Sequence, residues 1–475
     1  MTRSRESRRM VGVGLARRLP LWALLGGAAG LWVRPLESSV TPVAPSVQTV
    51  NDNVWVEPGP ILPNQNAILG APLNEPDVNP SVPMPPGVPA QLVTNPKPSL
   101  GRPDVVPIAE VRSTYDSNIF YDPKNQKADL YTTVVAGLAV GWGDFRDQIE
   151  PLGTFQQTYE ELRTPQFDVR RFFYASYTPG YTAFLKNTGE DTLDQNANVG
   201  ARWEFGGLTC DFRANYRIFS EALVDAGTRI RQTQLDIALN SRYDLTGRIS
   251  AEADLDVVTH HFDNRSLVDS TEWIDQNYLN YQVFSKTSIS AGATFGYVSV
   301  DSGPNQVYEQ MLSRVVYDTD RGISANLFGG VEFRQFDAGN VPSETNPVFG
   351  ASLLYSPFAG TNLSVSGSRL QTPSAEYVGQ DIETSRVSVT CTQDLFGKAT
   401  LSLQGTYGSL DYGDNGGVGD IHRSDNWVGM EASVAFHVTA SVSVSLEYDY
   451  SHNESSLSQF SFVDNRGTVD VNMLF

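Results

Sequence analysis

The segment TVDVNMLF, residues 468–475, decides the fold that we predict for this chain. Apolar side chains stand at every second position of this segment, and Thr468, Asp470 and Asn472 alternate with them. This alternation is the period-two pattern of a β-strand that buries one of its two faces. The nature of the protein therefore depends on what covers the apolar face, which consists of Val469, Val471, Met473 and Phe475.

The composition of the whole chain favours β-structure and excludes several classes of partner. Of the 475 residues, 19% are charged and 11% are aromatic, and the formal net charge is −20. Nucleic acid requires a basic binding surface, so we do not expect this chain to bind it. Forty glycines and twenty tyrosines against six methionines are typical of β-rich proteins. Two cysteines are too few for a disulfide framework or a cysteine-based metal centre.

The N-terminal segment has the features of an export signal followed by a leader. Several arginines precede an apolar run at residues 19–33, which is too short to span a bilayer. We predict a signal peptide over residues 1–35 and export from the cytoplasm of a bacterium. Residues 36–107 follow as a proline-rich leader, which is expected to be extended and largely disordered in the periplasm. A spacer or a peptide ligand for a cell-envelope partner is the alternative for this segment.

The remainder, residues 108–475, repeats the alternation of the last segment. In RISAEADLDVV, residues 248–258, apolar and polar side chains alternate along one predicted strand. Tight turns such as LTGR and FAGT alternate with longer polar loops such as SEALVDAGTR and DNRSLVDSTE. Strands of about ten residues with short turns at one end and long loops at the other are typical of a transmembrane β-barrel. A soluble β-sandwich, whose loops are divided between both ends, is the alternative.

The number of strands follows from the rhythm of the turns. We count nineteen apolar runs, whereas single-chain bacterial barrels have an even number of strands. The run at residues 146–168 alternates less well than its neighbour and falls where only one ascending strand fits, so we predict a periplasmic insertion there. The predicted fold is an all-β, antiparallel transmembrane barrel of eighteen strands, which is wide enough for an aqueous channel. Its last strand must close against the first, because an open sheet edge cannot exist in hydrocarbon.

The polar faces of the strands are the predicted functional surface. We expect a pore lined mainly by Ser, Asn, Asp, Glu and Arg, with few aromatic side chains. Mixed charges of this kind either solvate one another or set up a transverse field that selects solutes. The acidic total favours weak cation selectivity. The predicted pore-lining residues are Arg202, Arg213, Arg217, Arg242, Glu252, Asp254, Asp256, Glu332, Arg334, Glu431, Glu447 and Asp449.

No residue pattern indicates catalysis, a metal ion or a cofactor. His260, His261 and Asp263 lie where a predicted strand runs into a loop, and the glycine-rich loop at residues 411–420 contributes three aspartates. The histidines show no local nucleophile and base, and the loop lacks the ligand spacing of an EF-hand. We therefore predict that the protein is not an enzyme and has no cofactor.

The two cysteines are predicted to face lipid as free thiols. Cys210 and Cys391 both alternate with apolar neighbours along their strands. About nine strands separate them, whereas a disulfide requires Cα atoms within about 7 Å of each other. We therefore expect no bridge between them.

Several segments resemble a known family. VRSTYDSNIFYD, residues 111–122, opens the predicted barrel, and NRGTVDVNMLF, residues 465–475, ends it. With VVAGLAVGWGD and FFYASYTPGYTAFLKN between them, they resemble the putative beta-barrel porin 2 family, which is found beside exopolysaccharide gene clusters. The resemblance implies an outer-membrane pore with a link to exopolysaccharide production or export. The first-strand residues that carry it are Tyr115, Asp116, Asn118 and Phe120.

These observations predict a porin-like channel for small polar solutes in the bacterial outer membrane. Its expected partners are outer-membrane lipid, the barrel assembly machinery and, through the resemblance, components of exopolysaccharide export. Bacterial outer-membrane barrels commonly end on a strand that finishes in Phe, which the assembly machinery reads. The predicted assembly signal is Val469, Val471, Met473 and Phe475. A secreted β-rich protein that binds or adheres to surfaces is the alternative.

Overall fold

The structure is a computed structural model that describes residues 102–143, 145, 171–319, 322–337, 342–377, 380–413, 422–439 and 441–474. The predicted signal peptide, the predicted insertion at 146–168 and nearly all of the predicted leader lie outside the described residues. Asp414, Asp420 and Phe475 lie outside them as well. Among the described residues, no helix has the length and apolar character needed to cross a bilayer.

The described chain forms eighteen β-strands. They are β1 (Asp104–Asp116), β2 (Asp129–Gly143), β3 (Phe172–Phe184), β4 (Thr192–Phe205), β5 (Leu208–Leu223), β6 (Thr228–Asp244), β7 (Ile249–Phe262), β8 (Ser270–Phe284), β9 (Thr287–Val300), β10 (Gln306–Thr319), β11 (Ile323–Phe336), β12 (Glu344–Phe358), β13 (Thr361–Pro373), β14 (Asp381–Leu395), β15 (Ala399–Tyr412), β16 (Arg423–Thr439), β17 (Val442–Ser455) and β18 (Phe462–Leu474). Two short 3₁₀ turns, Thr188–Glu190 and Ser458–Phe460, precede β4 and β18.

The strands close into a ring in which each pairs antiparallel with its two neighbours. β1 pairs with β2 over its whole length and with β18 from Ile108 onward, where Val111 lies opposite Val471. The predicted antiparallel barrel of eighteen strands is therefore confirmed. Closure leaves no unpaired sheet edge, which is the condition for placing strands in hydrocarbon.

The apolar face of the last strand points outward. Val469 is 47% exposed, whereas Thr468 on the opposite face is buried and its hydroxyl lies 3.0 Å from that of Thr114. The same alternation leaves Leu403 and Leu446 exposed on the outer surface of β15 and β17. An apolar band that encircles a closed barrel is the surface that outer-membrane barrels turn towards lipid.

Exposed aromatic side chains lie near both rims of the outer surface. The rim at the short turns carries Phe205, Tyr243, Phe284, Tyr317 and Phe358. The rim at the long loops carries Tyr115, Tyr181, Phe333 and Tyr407. Two girdles of this kind mark the interfaces of the membrane on outer-membrane barrels. The outer surface is therefore built to sit in a bilayer.

The connections define two different ends of the barrel. Turns of two residues join β4 to β5, β8 to β9 and β12 to β13, at what we call the turn end. Connections at the opposite end, the loop end, include residues 117–128 and 263–269. The connection between β2 and β3 leaves from the turn end, and of its residues Phe145 and Arg171 are described.

The barrel begins ahead of the predicted boundary at residue 108. β1 starts at Asp104, and Pro107 lies opposite Leu138 of β2. The high proline content of the leader places the predicted boundary after Pro107, but a strand tolerates proline where the missing N–H is not needed by the ladder. Among the described residues, β18 pairs with β1 from Ile108 onward, so the stretch that contains Pro107 has its described pairing with β2.

Candidate functional site: the lumen and its loop-end mouth

The twelve residues predicted to line the pore all lie on the inner face of the barrel. On β7, Glu252, Asp254 and Asp256 are buried, whereas the side chains between them are partly exposed on the outer face. The same alternation places the other nine inward; these are Arg202, Arg213, Arg217, Arg242, Glu332, Arg334, Glu431, Glu447 and Asp449. That they line a conducting path stays a prediction.

Three of these arginines form ion pairs in the turn-end half of β4, β5 and β6. Arg202 and Arg213 both contact the buried carboxylate of Asp211, and Nε of Arg213 lies 3.1 Å from its Oδ1. Nη1 of Arg242 lies 3.5 Å from Oε1 of Glu252. The side chains of Arg213 and Arg242 are 41% and 38% exposed, so their outer atoms can meet solutes.

Carboxylates are concentrated on two opposite walls of the lumen. On β7, neither carboxylate oxygen of Asp256 has a hydrogen-bond partner among the described residues. On β16 and β17, carboxylate oxygens of Glu431, Glu447 and Asp449 lie within 4.8 Å of one another. β7 and β16 stand nine places apart in the ring of eighteen strands, so these walls face each other. Carboxylates as close as those on β16 and β17 disfavour one another's charge. A cation among them relieves that repulsion.

Two of the predicted pore-lining arginines are packed into the wall instead of being open to solutes. Nε of Arg334 donates to Oε1 of Glu332 at 2.8 Å, and Nη1 lies 3.3 Å from Asp381. The guanidinium also stacks 4.7 Å from the centre of the Tyr308 ring. The side chains of Arg334 and Arg217 are 1% and 3% exposed. Both therefore act mainly as cross-links between strands.

The expectation of few inward aromatic side chains is wrong. Aromatic residues occur on both faces of these strands, and many of the inward rings lie under arginines. Arg314 lies 4.1 Å from the centre of the Tyr278 ring, and Arg202 lies 5.5 Å from that of Phe172. A ring covered by a guanidinium in this way is not open for stacking on a sugar. The buried inward rings are Phe172, Tyr174, Phe184, Phe219, Phe262, Tyr278, Tyr308, Phe328, Tyr412, Trp427 and Phe462.

The β5–β6 hairpin leaves the wall and extends over the loop-end mouth of the lumen. β4 pairs with β5 as far as Ile218, and β7 pairs with β6 from Gln232 onward. Between these points β5 and β6 pair with each other, up to Leu223 opposite Thr228. We call residues 219–230 the first tip. Arg231 at its base stays with the wall, because its carbonyl accepts from the backbone N–H of Asp263 at 3.0 Å and its Nη1 donates to the hydroxyl of Thr192 on β4 at 2.6 Å. The prediction of a long polar loop at SEALVDAGTR is therefore wrong, because both of its ends continue a strand.

The β13–β14 hairpin approaches the first tip from another part of the wall. β12 pairs with β13 as far as Arg369, and we call residues 370–377 the second tip. The carboxylate of Asp225, in the first tip, accepts hydrogen bonds from the backbone N–H groups of Ala375 (2.9 Å) and Glu376 (3.1 Å). The two tips therefore meet across the mouth.

Arg423 of β16 binds the first tip from the far side of the mouth. Its Nη1 donates to the backbone carbonyl of Asp225 at 2.6 Å, and its Nη2 donates to that of Val224 at 3.0 Å. Its Nε donates to Asp425 at 3.0 Å, and its guanidinium lies 3.6 Å from the centre of the Phe460 ring. The side chain is fully buried. These contacts join β5–β6 to a strand that is distant in the ring.

Apolar side chains fill the mouth on both sides of the first tip. Val224 belongs to one buried cluster, which includes Trp427, and Leu223 belongs to a second, which includes Leu267. Water is therefore excluded from the contacts that the first tip makes on both sides. The sequence carried a signal for it, since residues 222–224 form an apolar run inside a segment that had been predicted to lie in water.

Burial changes the ionisation of the two carboxyl groups where the tips meet. Burial raises the pKa of the Asp225 carboxyl, and the positive charge of Arg423 opposes that rise. Burial and then the charge of Asp225 raise the pKa of Glu376 to about 7, again with Arg423 opposing. Both groups therefore hold a proton more readily in this contact than they would in water.

The remaining candidates from the sequence do not converge on a site. His260 is buried on the inner face of β7, whereas His261 is 63% exposed on the outer face, so the pair does not offer one ion two ligands. Asp411 is exposed on the outer face of β15. Cys210 and Cys391 are free, as predicted, and lie on the outer faces of β5 and β14.

Comparison with known proteins gave few matches in sequence and many in structure. No curated protein matches the chain. Among solved structures, OpdK of Pseudomonas aeruginosa with vanillate is 10% identical, with a TM-score of 0.43 over 78% of this chain and 99% of that one. OccAB4 of Acinetobacter baumannii is also 10% identical, with a TM-score of 0.42 over 79% of this chain and 100% of that one. OccK2 of Pseudomonas aeruginosa in complex with glucuronate is 11% identical, with a TM-score of 0.42 over 78% and 98% of the two chains.

One family model matches part of the sequence. The match covers residues 315–475, from the middle of β10 through the closing strand. This stretch includes the second tip, Arg423 and the acidic wall of β16 and β17. The closed barrel and its lipid-facing band are in keeping with that family. Residues 315–475 thus match the putative beta-barrel porin 2 family, as the resemblance had predicted, and the protein is a β-barrel of the bacterial outer membrane.

Proposed function

We propose that the protein is a passive channel for small polar solutes and that it prefers cations. The observation that carries this proposal is the pair of acidic walls on β7 and on β16 and β17, which face each other across the lumen. Several inward arginines are paired with carboxylates, so their charge is largely balanced. Carboxylate-lined pores attract cations and repel anions. The carboxylates of the inner surface thus favour cations over anions.

Planar lipid bilayers test this function directly. Purified, folded protein should add stepwise ion conductance, and a potassium chloride gradient should give a reversal potential of the sign expected for cations. The same preparation after heat unfolding is the control, since barrels change their gel mobility when they unfold. Folded protein that inserts but adds no conductance contradicts a channel, and anion selectivity contradicts the role assigned to the acidic walls.

A link to exopolysaccharide production or export is the second part of the proposal. It rests on the family resemblance, not on the lumen, because several of the inward rings are covered by arginines. Deletion of the gene should lower the amount of secreted polymer, and the gene in trans should restore it. Unchanged polymer, with altered uptake of small solutes, supports the passive channel alone.

Assembly is the third part of the proposal. Val469, Val471 and Met473 form the outward face of β18, which pairs with β1 to close the ring. We infer that this face, with Phe475, is what the barrel assembly machinery binds. The alternative of a secreted surface-binding protein does not suit a closed barrel with an apolar outer band.

A further inference from the structure

We propose that the two tips form a gate across the loop-end mouth and that Arg423 is the latch that holds this gate shut. The proposal rests on the channel function proposed above, because a gate matters only if the lumen conducts. It is carried by three observations: the first tip has no described strand pairing with β4 or β7, Arg423 binds its backbone, and the second tip binds its carboxylate.

The first tip is built to move as a unit. Residues 219–230 are held to each other by the β5–β6 ladder, whereas the described pairing with β4 stops at Ile218 and that with β7 begins at Gln232. Arg231, at the base of the tip, is anchored to Asp263 and to Thr192 and marks where the moving part ends. Moving the tip therefore breaks no strand pairing of the barrel wall. Only the tertiary contacts of the tip have to be given up, and the wall stays closed.

Arg423 suits the role of latch because of what it donates to. Two of its N–H groups bind backbone carbonyls at the turn of the tip, those of Val224 and Asp225. These acceptors are present only when the tip lies across the mouth. Asp425 holds Nε of the same guanidinium in place. A lysine cannot reproduce this set, because a single ammonium group is not planar and does not form a fork of donors.

The second tip completes the closure from the other side. Backbone N–H groups of Ala375 and Glu376 and the hydroxyl of Ser374 donate to one oxygen of Asp225, at 2.9, 3.1 and 3.3 Å. If the first tip moves, these donors and two Arg423 donors lose their partners together. Buried donors that lose their partners are costly, so the gate is expected to switch between two positions instead of drifting between them.

Titratable groups lie at the centre of this contact. Arg423 and Asp425 face Asp225 from β16, and Tyr412 faces it from β15. Glu376 and Tyr377 face it from the second tip, and the pKa of Glu376 is raised to about 7. Ionisation of Glu376 adds a negative charge beside Asp225. The closed contact is therefore expected to weaken as the pH rises.

The first test removes the latch. We expect Arg423→Ala, in the full chain, to raise the single-channel conductance and to shift the channel towards its most open level. Arg423→Lys should lie between the wild type and Arg423→Ala. Arg314→Ala is the matched control for the shift between levels, because Arg314 is also buried, stacked on a ring and paired with a carboxylate, but its described partners Glu252 and Asn280 lie outside both tips. An equal shift towards the most open level in both variants would overturn the latch.

A labelling measurement separates failure of the gate from failure of the channel. Ala222→Cys places a thiol in the buried part of the first tip, where Ala222 is 5% exposed. In a background of Cys210→Ser and Cys391→Ser, a charged maleimide should label it slowly, and Arg423→Ala should speed the labelling. Unchanged labelling contradicts the gate whether or not the protein conducts. Faster labelling without conductance in any variant contradicts the channel and leaves the movement of the tip supported.

A reversible tether keeps the test valid if Arg423→Ala does not fold. Asp225→Cys and Ala375→Cys, in the same background, join the two tips through positions that are already in contact. The oxidised protein should stay at its low conductance at every pH, and reduction should release it to the higher level. Equal conductance before and after reduction, with the bridge shown by mass spectrometry, contradicts a gate at this contact.

Discussion

Arginine is the residue that organises the inside of this barrel. Arg202, Arg314, Arg334 and Arg423 each combine a carboxylate partner with an aromatic ring, which fixes the planar guanidinium in one orientation. Fixed guanidinium groups link strands that are not neighbours, as Arg314 links β10 to β7. The inner charges thus serve partly to brace the lumen.

Gly227, at the turn of the first tip, is a residue whose replacement should disturb the gate. Its φ is +62°, and a Cβ there would lie 2.9 Å from the ring of Phe460. An L-residue in this region of φ costs about 1–3 kcal/mol. We expect Gly227→Ala to loosen the tip and raise conductance, as Arg423→Ala does.

Gly206→Ala is the control for Gly227→Ala. The φ of Gly206 is +52°, and nothing lies within 4 Å of a Cβ added there. Gly206→Ala therefore introduces backbone strain at the turn end without a steric clash. Conductance should stay at the wild-type level in Gly206→Ala. A rise of equal size in both variants would mean that general strain, and not the tip, changes the pore.

The two cysteines give a residue-level test of which faces meet lipid. Cys210 is 8% exposed and lies opposite Trp203, whereas Cys391 is more open. A lipid-soluble maleimide should therefore label Cys391 faster than Cys210 in the folded protein, and a charged one should label neither. After unfolding, both should react with either reagent. Fast labelling of Cys391 by the charged reagent in folded protein would place it in water and contradict the assigned face.

At the scale of the element, each strand of the wall turns one face towards lipid and the other towards the inside of the barrel. The outward side chains of β18 meet lipid and the inward ones meet Thr114 and its neighbours, as Val469 and Thr468 show. Two hairpins depart from this plan only at their loop-end tips, where pairing with one neighbour stops. An element can therefore belong to the wall over most of its length and to the gate at its end.

A charge on the lipid face of the closing strand should impair the barrel. Arginine near the midplane of a barrel costs about 2–4 kcal/mol, so Val469→Arg should reduce the folded, heat-modifiable fraction in outer membranes. Ser443→Arg is the control, because Ser443 lies on the inner face of the neighbouring β17. Equal loss of folded protein in both variants would contradict the assignment of the two faces.

At the scale of the whole molecule, the acidic walls should set selectivity. We expect the double substitution Glu431→Gln and Glu447→Gln to reduce the cation preference measured as a reversal potential, with the largest effect at low salt, where screening is weakest. The wild-type preference should itself be weak, because arginines share the lumen. A preference that stays unchanged would show that charges outside the lumen set it.

The gate predicts a pH dependence of the whole channel. The pKa of Glu376 is raised from 4.5 to about 7 in the closed contact, so the closed state binds its proton more tightly than an open, solvated state does. Below pH 4.5 both states are protonated and the closed contact has its full stability. As the pH rises to about 7 that stability is lost, so open probability should increase between pH 5 and 8.

Glu376→Gln is the variant that checks this sign. It keeps the neutral form at every pH, so its open probability should stay low where that of the wild type rises. The measurement is single-channel recording at fixed salt over the same pH range. A channel that closes as the pH rises, or a Glu376→Gln variant with the wild-type profile, would contradict the assignment.

The local sequence by itself determined the wall of this molecule. Side chains of a strand alternate with period two, so TVDVNMLF and its counterparts reveal their faces without knowledge of any partner. The rhythm of turns then separates the two ends, and the need for a closed, even ring selects eighteen strands. The inward positions of Glu252, Glu447 and Arg202 followed from the same period.

Only the tertiary structure decided what lies across the mouth and beneath the arginines. Val224, Ala375 and Arg423 are distant in sequence. No local period reveals that the backbone carbonyl of Val224 will accept a hydrogen bond from the side chain of Arg423. The inward rings were missed because an aromatic residue type does not fix a face: Tyr278 alternates with Gln276 and Asn280 on the inner face of β8. That Arg314, from a strand two places away, covers this ring is decided only by the tertiary structure. Periodicity assigns a side to each residue, whereas closing the ring decides which distant residues meet there.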